Sequence, residues 1–448
     1  MPLFHYIGEM QKIIVVGSGG REHAIAWRLA QSQLVKEIIC VPGNGGSATE
    51  SKCVNVPLEE AKGLDGNPYV ALAKKHGCDF AVIGPEDPLA DGLADEFWAA
   101  GIPCVGPKKA AAQLEASKDL AKAFMKKYSV AAPSSETFTE QAAAVDYIKS
   151  KGAPIVLKAD GLAAGKGVVV AKTVDEAVAA VDDLMNSGRV GDAAKKLLVE
   201  DYLAGIEMSV LAAVSVTPEG AKAGKAAILP FLPARDHKRL NDGAKGPNTG
   251  GMGAVCPLSD VTPDIMKAFD KTILQPTLRG LVAEGFDYRG FIFFGVMITK
   301  DGPKLLEYNV RLGDPETQAV LPLMDFDFAA LCKAISDESL KGFEMKWKNE
   351  FAVAPVAVSG GYPGSYPKGK AISIDQKVID QNGAKVFVAG AVGKESLQTS
   401  GGRVLAVCAK GQSFDEAWKK AYAAMQGVSF EGMFYRKDIG LPGAAVSN

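Results

Sequence analysis

An alternation of short apolar runs with helical patterns over residues 1–113 constrains the fold more than any other feature. The run "KIIVV" at 12–16 is closed by the turn "GSGG", and the helical pattern "REHAIAWRLAQ" follows directly. Further apolar runs lie at 37–41, 79–84 and 102–105. Such runs are typical of buried strands, and strands that alternate with helices form parallel sheets. The sequence therefore predicts an N-terminal parallel α/β domain.

The middle of the chain has a different pattern, which predicts a two-part domain over 114–335. A helix is expected over 110–128, and two strand-rich segments follow at about 130–202 and 203–335. In the second segment the Asp-Gly pair at 301–302 separates two apolar runs, as in a β-hairpin.

The last part of the chain, residues 336–448, alternates short strands with one late helix at 414–425. This pattern predicts a small C-terminal α+β domain. A chain of 448 residues is long enough for about three domains. The expected fold class is therefore a multidomain combination of α/β and α+β units.

Charge and cysteine content limit the kinds of partner. Fifty basic and 52 acidic residues give a net charge of −2, which argues against a nucleic-acid-binding face or a polybasic membrane surface. No run approaches the ~18 apolar residues of a membrane span. The seven cysteines are scattered without C-x-x-C spacing, which is typical of buried reduced thiols. We expect a cytoplasmic monomer or weak homodimer with small-molecule substrates and no nucleic-acid or membrane partner.

The first glycine turn, "VVGSGGREHA", could bind a dinucleotide, an anion or nothing. A dinucleotide fingerprint needs G-x-G-x-x-G and an acidic residue about 20 positions on. Gly17 and Gly19 fit, but Glu22 stands at the third glycine position and no carboxylate ends the second strand. A dinucleotide-dependent oxidoreductase is therefore disfavoured. The remaining alternatives are an anion site, formed by helix N-terminal amides beside Arg21, and a tight turn without a ligand.

A second glycine-rich segment, "LKADGLAAGKGVVVA" at 157–171, differs from the P-loop. One residue too few separates Gly161 from Gly165, and a glycine replaces the magnesium-binding hydroxyl. Apolar runs on both sides predict a hairpin whose loop closes over a triphosphate as a lid. Lys158 and Lys166 would direct ammonium groups at the phosphates. A flexible hairpin tip without a ligand is the alternative.

The segment "LLVEDYLAGIEMSV" at 197–210 places acidic residues after a strand. One interpretation is a surface acid cluster. The other is a hinge between domains that offers backbone groups to adenine, with Glu207 accepting hydrogen bonds from ribose hydroxyls.

The segment "KLLEYNVRLGDPETQ" at 304–318 predicts a cation site. Glu307 and Asn309 alternate on one strand, so both face the same side and offer oxygen ligands to magnesium. Arg311 follows on that face with a guanidinium suited to a carboxylate or a phosphate. An exposed polar sheet face is the alternative.

Together with further motifs, these segments resemble the ATP-grasp superfamily and, within it, the glycinamide ribonucleotide synthetase family. The motifs behind the resemblance are "GSGGREHA" 17–24, "PGNGG" 42–46, "GPEDPL" 84–89, "AAAQLEASK" 110–118, "LKADGLAAGKGV" 157–168, "RDHKR" 235–239, "GPNTGGMGA" 246–254 and "EYNVRLGDPETQ" 307–318. The resemblance implies a pre-ATP-grasp N-terminal domain, a two-part ATP-grasp core whose first part is a lid, and a C-terminal domain.

The resemblance also implies an activity: ligation of glycine to 5-phosphoribosylamine through glycyl phosphate, with ATP converted to ADP in purine biosynthesis. It assigns catalysis to Arg311, Lys158 and Asp236; ATP to Lys118, Lys158, Gly165, Lys166, Gly167, Glu200, Leu203 and Glu207; Mg²⁺ (or Mn²⁺) to Glu307 and Asn309; the sugar phosphate and ribose to Gly19, Gly20, Arg21, Asn44 and Glu86; and glycine with its acyl phosphate to Asp236, Asn248, Gly250, Gly251, Gly253 and Arg311. His23 and His237 are expected to orient phosphates.

Two other functions stay open at this point. An ATP-grasp ligase for another acid, such as formate or bicarbonate, would share Lys158 and the Glu307–Asn309 pair but would lack "GPNTGGMGA". A non-catalytic binding protein is disfavoured, because the carboxylate and lysine positions are intact.

Overall fold

A five-stranded parallel sheet, ordered β3-β2-β1-β4-β5, forms the first unit of the computed structural model, which describes residues 11–161, 167–186 and 195–445. Its elements are β1 Lys12–Gly17, α1 Gly20–Ala30, β2 Glu37–Pro42, β3 Cys53–Asn55, α2 Pro68–Lys75, β4 Phe80–Ile83, α3 Glu86–Asp91, α4 Leu93–Ala99 and β5 Cys104–Val105. The predicted parallel α/β domain is confirmed. Strand β3 was not predicted, because its three residues are partly exposed and carry no apolar run.

The Glu22 side chain occupies the first glycine turn. Its carboxylate accepts a hydrogen bond from the Gly19 amide at 2.6 Å and closes the N-terminus of α1. A Cβ at Gly17 would lie 2.5 Å from the Glu22 side chain, and a Cβ at Gly84 would lie 2.2 Å from it. The glycines therefore make room for a carboxylate of the chain itself, which fills the space between the ends of β1 and β4.

Two helices, α5 Lys109–Ala116 and α6 Lys118–Lys127, replace the single helix predicted over 110–128. Ser117 breaks the helix with extended backbone (φ −126°, ψ 115°), and its hydroxyl accepts a hydrogen bond from the Leu120 amide as an N-cap. The break places Lys118 at the first turn of α6, where it faces the central cavity described below.

The lid unit is a four-stranded sheet ordered β6-β9-β7-β8 with two helices on it. Its elements are β6 Ser135–Phe138, α7 Gln141–Lys151, β7 Ile155–Ala159, β8 Val168–Ala171, α8 Val174–Asn186 and β9 Leu197–Asp201. The unit has an apolar core of its own, separate from the core that joins the first unit to the rest. The predicted strand–loop–strand at 157–171 is present as the β7–β8 pair.

The central region of the chain contains a four-stranded sheet, ordered β11-β10-β16-β17, which faces the lid. The elements of this region are β10 Ile206–Val216, α9 Pro218–Lys222, β11 Ala227–Pro230, β12 Arg235–Asp236, β13 Arg239–Asn241, β14 Lys245–Asn248, β15 Gly253–Cys256, α10 Pro263–Phe269, α11 Gln275–Ala283, β16 Tyr288–Thr299, β17 Gly302–Asn309, α12 Glu316–Val320 and α13 Phe328–Ser336. Strands β16 and β17 form the predicted hairpin, with Gly302 in the left-handed region at φ +98°.

The C-terminal sheet includes strands from the middle of the chain. Its order is β12-β15-β18-β23-β20, so β15 of the central region pairs with β18 of the last one. The C-terminal elements are β18 Phe351–Val358, β19 Ser373–Ile374, α14 Gln376–Gln381, β20 Lys385–Val388, β21 Ala391–Val392, β22 Gln398–Thr399, β23 Arg403–Gly411, α15 Phe414–Met425 and β24 Val428–Ser429. The C-terminal domain therefore shares a sheet with the segments that border the central cavity.

The cysteines and the helix lengths bear on two further expectations. All seven cysteines are unpaired, and each is buried except the half-exposed Cys53. Among the described residues, no helix is both long and apolar enough to cross a membrane.

Candidate active site

A central cavity of about 380 Å³ lies where the first unit, the lid and the β10–β17 sheet meet. Many predicted site residues line it: Arg21, Glu86, Lys118, Lys158, Gly167, Glu200, Asp236, Gly250, Glu307, Asn309 and Arg311. They come from distant parts of the chain, and their side chains are polar or charged apart from two glycines. The cavity is therefore built for a highly charged ligand.

The alternation predicted for β17 is present, because Glu307, Asn309 and Arg311 all line this cavity. The Glu307 carboxylate has no hydrogen-bond or ion-pair partner within the part of the chain that the structure describes. Burial alone would raise its pKa, but the nearby positive charges of Lys238, Lys158 and Lys118 outweigh burial and lower it. Glu307 is therefore an ionised carboxylate with free oxygens, which fits a divalent-cation ligand.

A buried triad joins the lid to the base of the cavity. Glu200 on β9 lies 2.8 Å from the ammonium groups of both Lys122 on α6 and Lys158 on β7. Burial opposes ionisation of Glu200, yet the two lysines lower its pKa. Burial lowers the pKa of Lys122 to about 8. Both lysines also donate to the Leu306 carbonyl on β17, so the triad holds the lid strands next to Glu307.

Lys118 completes the cluster of lysines that faces Glu307. Its ammonium group donates to the Gly161 carbonyl at 2.7 Å, at the start of the β7–β8 loop. Burial lowers its pKa, and the negative charge of Glu307 opposes that shift. The position suits a phosphate ligand next to the lid loop.

Arg311 is held between two carboxylates. Its Nε lies 3.1 Å from Glu86, and its Nη2 lies 2.9 Å from Glu115 and 3.2 Å from the Asn309 side-chain oxygen. Its Nη1 donates to the Leu312 carbonyl at 3.4 Å. A guanidinium has five N–H groups, so these contacts leave one for a ligand. Most N–H groups of the Arg311 guanidinium therefore already have partners in the protein, whereas the sequence suggested a guanidinium that is fully available to a ligand.

Glu115 gives this site a pH dependence. Burial raises the pKa of Glu115 to about 7, and the charge of Glu86 adds to burial, while Arg311 and the Val310 amide oppose it. Arg21 and Lys118 are the other cations near this carboxylate. Above pH 7 the carboxylate binds Arg311, and below pH 7 it becomes neutral and this ion pair weakens.

Glu115→Gln is therefore expected to remove an acid limb near pH 7 from the pH profile of kcat/KM for the acid substrate. Above that pH, loss of one charge-assisted hydrogen bond is expected to lower kcat/KM about tenfold. Steady-state rates from pH 5.5 to 8.5 measure both effects. Glu96→Gln, which changes an exposed carboxylate in the same unit, is the matched control. An unchanged acid limb in Glu115→Gln would contradict the assignment.

Asp236 shares its wall of the cavity with a second buried carboxylate, Glu316. The His237 amide donates to Asp236 at 2.6 Å, and the Ser209 hydroxyl donates to Glu316 at 2.8 Å. Burial raises the pKa of both carboxyl groups, and the charge of Glu316 raises that of Asp236 further. No ion pair to Asp236 is present in the described ranges, so this wall fits a cationic group of a ligand.

A second cavity of about 740 Å³ adjoins the first, between the N-terminal sheet and the C-terminal domain. Gly19 and Asn44 line it, with glycine-rich turns of both units. The Asn44 side chain is fully engaged: it donates to the Ser18, Gly19 and Val388 carbonyls and accepts from the Gly46 and Ser47 amides. Asn44 therefore positions the wall of this cavity, and its side chain is not free for a ribose.

The "NTGGMG" amides have partners within the protein. They were expected to hold an acyl phosphate, but the Thr249 amide donates to Lys238, the Gly250 amide to Tyr362 and the Gly251 amide to Thr249. The Met252 amide donates to His237. The segment is a closed turn in which the four amides of residues 249–252 have partners inside the protein. The Gly19 amide likewise donates to the Glu22 carboxylate.

Several predicted residues line neither cavity: Gly20, Leu203, Glu207, Asn248, Gly251 and Gly253. Glu207 forms an ion pair with Lys238 at 3.1 Å, and Asn248 lies on the exposed hairpin β13–β14. A Cβ at Gly253 would lie 2.9 Å from the Ala354 carbonyl, so this glycine serves the close approach of β15 and β18. A Cβ at Gly251 would lie 2.6 Å from Asp236. Gly165 and Lys166 lie outside the described residues.

The two histidines expected to orient phosphates have structural partners instead. His23 contacts Glu50 at 2.9 Å and accepts from the Val388 amide, which ties α1 to the C-terminal domain. The ring of His237 contacts the Gly253 carbonyl and accepts from the Gly440 amide, and burial lowers its pKa to about 3. Both imidazoles are buried away from the cavities.

Sequence reasoning missed several residues that line the central cavity: Glu115, Lys122, Lys238, Asp314, Glu316 and Arg403. Lys122 stands four positions after Lys118, so helical spacing could have placed both on one face. Glu115, Asp314 and Glu316 lie inside quoted motifs. No local signal marks Arg403.

Comparison with known families gives matches over all three units. Residues 11–115 match the phosphoribosylglycinamide synthetase N domain, residues 116–317 its ATP-grasp (A) domain and residues 352–442 its C domain.

Similar proteins cover almost the whole chain. A phosphoribosylamine–glycine ligase of Clostridium acetobutylicum is 47% identical over 96% of this chain and 99% of its own length. One of Vibrio parahaemolyticus is 43% identical over 96% of this chain and 97% of its own. The crystal structure of the Thermotoga maritima ligase is 33% identical, with a TM-score of 0.77 over 96% of this chain and all of that one.

A more distant structure shares the fold alone. The biotin carboxylase domain of a Hydrogenobacter thermophilus 2-oxoglutarate carboxylase, in complex with MgADP and bicarbonate, is 15% identical, with a TM-score of 0.69 over 94% of this chain and 91% of that one.

Proposed function

The chain belongs to the phosphoribosylglycinamide synthetase family, and from that premise we propose that its central cavity carries out the ADP-forming ligation of glycine to 5-phosphoribosylamine. The chain is an ATP-dependent ligase of purine biosynthesis, like the relatives that it matches over nearly full length. We assign each step of this reaction to particular residues.

The first step activates glycine. A carboxylate is a poor acyl donor, because its leaving group would be oxide. A glycine carboxylate oxygen therefore attacks the γ-phosphorus of ATP, the new O–P bond forms, and the bond to the β-phosphate oxygen breaks as ADP leaves with the electron pair. The protein must align these groups and neutralise their charge.

The Glu307 carboxylate, which has no partner among the described residues and lies near three lysines and Asn309, is the observation that carries the proposal. Glu307 and Asn309 would hold Mg²⁺ (or Mn²⁺), which when bound neutralises phosphate charge during transfer. Lys118 and Lys158 would bind the phosphates, with Glu200 holding Lys158 in place. Adenine would lie toward the strand connection that follows β9.

We place glycine in the same cavity, beside Arg311 and Asp236. The free N–H of Arg311 would bind its carboxylate, and the wall formed by Asp236 would accept its ammonium group. This arrangement supports an amino acid over an acid without an amine, because Asp236 lies on the cavity wall and no cation of the described residues forms an ion pair with it.

The second step transfers the glycyl group to the amine of 5-phosphoribosylamine, which we place in the second cavity. Gly19 and Asn44 line that cavity, and it adjoins the first at Asp314 and Arg403. The nitrogen attacks the acyl carbon, the C–N bond forms, the C–O bond to phosphate breaks, and phosphate leaves with the electron pair and takes up the proton lost by nitrogen.

The decisive experiment measures ADP release with chemically generated phosphoribosylamine and glycine, formate or bicarbonate as the acid. We expect ADP only with glycine. ADP with formate or bicarbonate but not with glycine would show that the chain is a ligase for another acid.

A further inference from the structure

The C-terminal domain reaches the reaction site through one side chain, Arg403. Among the described residues of that domain, Arg403 is the one that lines the central cavity. It also lines the second cavity, and Asp314 is the only other described residue that lines both. Arg403 therefore lies at the junction of the space proposed for glycine and the space proposed for the amine substrate.

The protein makes room for this side chain and fixes it. A Cβ at Gly250 would lie 3.2 Å from the Arg403 guanidinium carbon, so a glycine there lets the group pass. Nη1 donates to the Gly250 carbonyl at 2.5 Å and to the Asp314 carbonyl at 2.8 Å, and Nη2 lies 3.4 Å from the Asp314 carboxylate. These contacts join the closed glycine turn to the loop before α12.

The fixed guanidinium keeps donors for a ligand. Of five N–H groups, the two on Nη1 serve the two carbonyls and one on Nη2 faces the Asp314 carboxylate. Nε and the second N–H of Nη2 have no partner in the ranges that the structure describes. Arg403 is also the single cationic side chain among the described residues that line the second cavity.

The proposed second substrate carries a charge opposite to that of Arg403. A phosphorylated sugar amine is anionic at neutral pH, while the second cavity is otherwise lined by glycine, alanine, proline, serine and asparagine, with one valine and Asp314. The lysines proposed for the nucleotide line only the first cavity. Arg403 is thus the fixed positive charge at the point where the amine must pass to reach the acyl carbon.

We propose that Arg403 is a positioning residue for the transfer step: it sets the anionic amine substrate against the activated glycine, and the activation of glycine by ATP does not need it. This inference rests on the proposed function, because it assigns the two cavities to the two halves of that reaction. It adds a residue that lies outside the motifs, and it gives the C-terminal domain a part in the transfer step.

The test separates the two half-reactions in Arg403→Gln. With phosphoribosylamine as the acceptor, we expect kcat/KM for the amine to fall roughly 100-fold, the size of effect that misplacement of a reacting group produces. The KM values for ATP and glycine should change less than about threefold, a change of well under 1 kcal/mol at about 1.4 kcal/mol per tenfold. With hydroxylamine, a small uncharged acceptor, glycine hydroxamate should form at the wild-type rate.

Two further variants make the result interpretable. Lys410→Gln removes a positive charge from the same strand, where Lys410 pairs with Glu350 at 2.9 Å away from both cavities, and should leave every parameter unchanged. Arg403→Lys keeps the charge and should recover part of the transfer rate. If Arg403→Gln fails to fold, as judged by thermal unfolding, Arg403→Lys is compared with wild type in the same two assays.

Each outcome decides the matter. Equal losses with both acceptors in a folded variant, or no loss with phosphoribosylamine, would overturn the role of Arg403. Absence of glycine hydroxamate from the wild-type protein would count against the activated-glycine step of the proposed function, and the KM values for the three substrates would then decide on Arg403 by themselves.

Discussion

Glu307→Gln is expected to lose glycine-dependent ADP release by roughly 1,000-fold, because a metal ligand worth several kcal/mol of transition-state stabilisation becomes a weaker, neutral donor. The side chain keeps its shape, and the carboxylate that it replaces has no protein partner in the described part of the chain. The fold should therefore be retained, with an unchanged midpoint of thermal unfolding. ADP release at saturating glycine, together with Mn²⁺ binding followed by electron paramagnetic resonance, measures the two effects.

Glu284→Gln is the matched control for that experiment. Glu284 belongs to the same central region, but its partners Lys127 and Tyr128 lie with it at the surface. Loss of such a surface pair costs about 0–1 kcal/mol, so its turnover should equal that of wild type. Wild-type turnover and metal affinity in Glu307→Gln would remove the metal site from β17.

Lys158→Met is expected to lower kcat by about 100- to 1,000-fold, the usual cost of removing one preorganised group that stabilises developing charge. Lys158 is buried and lies 2.8 Å from Glu200, which orients its ammonium group toward the cavity. Glu200 keeps Lys122 as a partner in the variant, so we expect it to stay ionised and the lid to stay folded. Initial rates at varied ATP concentration should also show a higher KM for ATP.

Lys172→Met provides the comparison for that variant. Lys172 follows β8 in the same lid and is exposed, so the substitution removes an equal charge from the unit without touching the cavity. We expect its kcat and its KM for ATP to match wild type. If the two variants lose activity equally, the loss reflects the lid as a whole, and the phosphate-binding role of Lys158 fails.

The strand β17 illustrates how far sequence reasoning extends. A period of two places Glu307, Asn309 and Arg311 on one face, and the structure has all three on the cavity wall. The spacing of the glycine fingerprint likewise placed Glu22 in the first turn, where its carboxylate accepts a hydrogen bond from the Gly19 amide. Both inferences depend on residues that are close in the chain, where backbone geometry alone sets the relation between side chains.

The glycine-rich motif at 246–254 illustrates what the local pattern leaves undecided. Glycines are compatible with free amides that bind an anion and equally with a closed turn, and local pattern does not distinguish the two. Here the donors are taken by Lys238, His237 and Tyr362, and Tyr362 belongs to the C-terminal domain. The contacts of Asn44 are equally invisible in the local pattern, because one of its acceptors is the Val388 carbonyl of the C-terminal domain.

The sequence by itself determined the N-terminal alternation of strands and helices, the family resemblance and the residues that alternate on β17, because each depends on local periodicity or on contiguous motifs. Only the tertiary structure decided which charges pair and which donors stay free. Glu115 meets the Val310 amide across 195 positions and Arg403 meets Gly250 across 153. Contacts of that range are set by how the domains pack, and they leave no trace in the spacing of neighbouring residues.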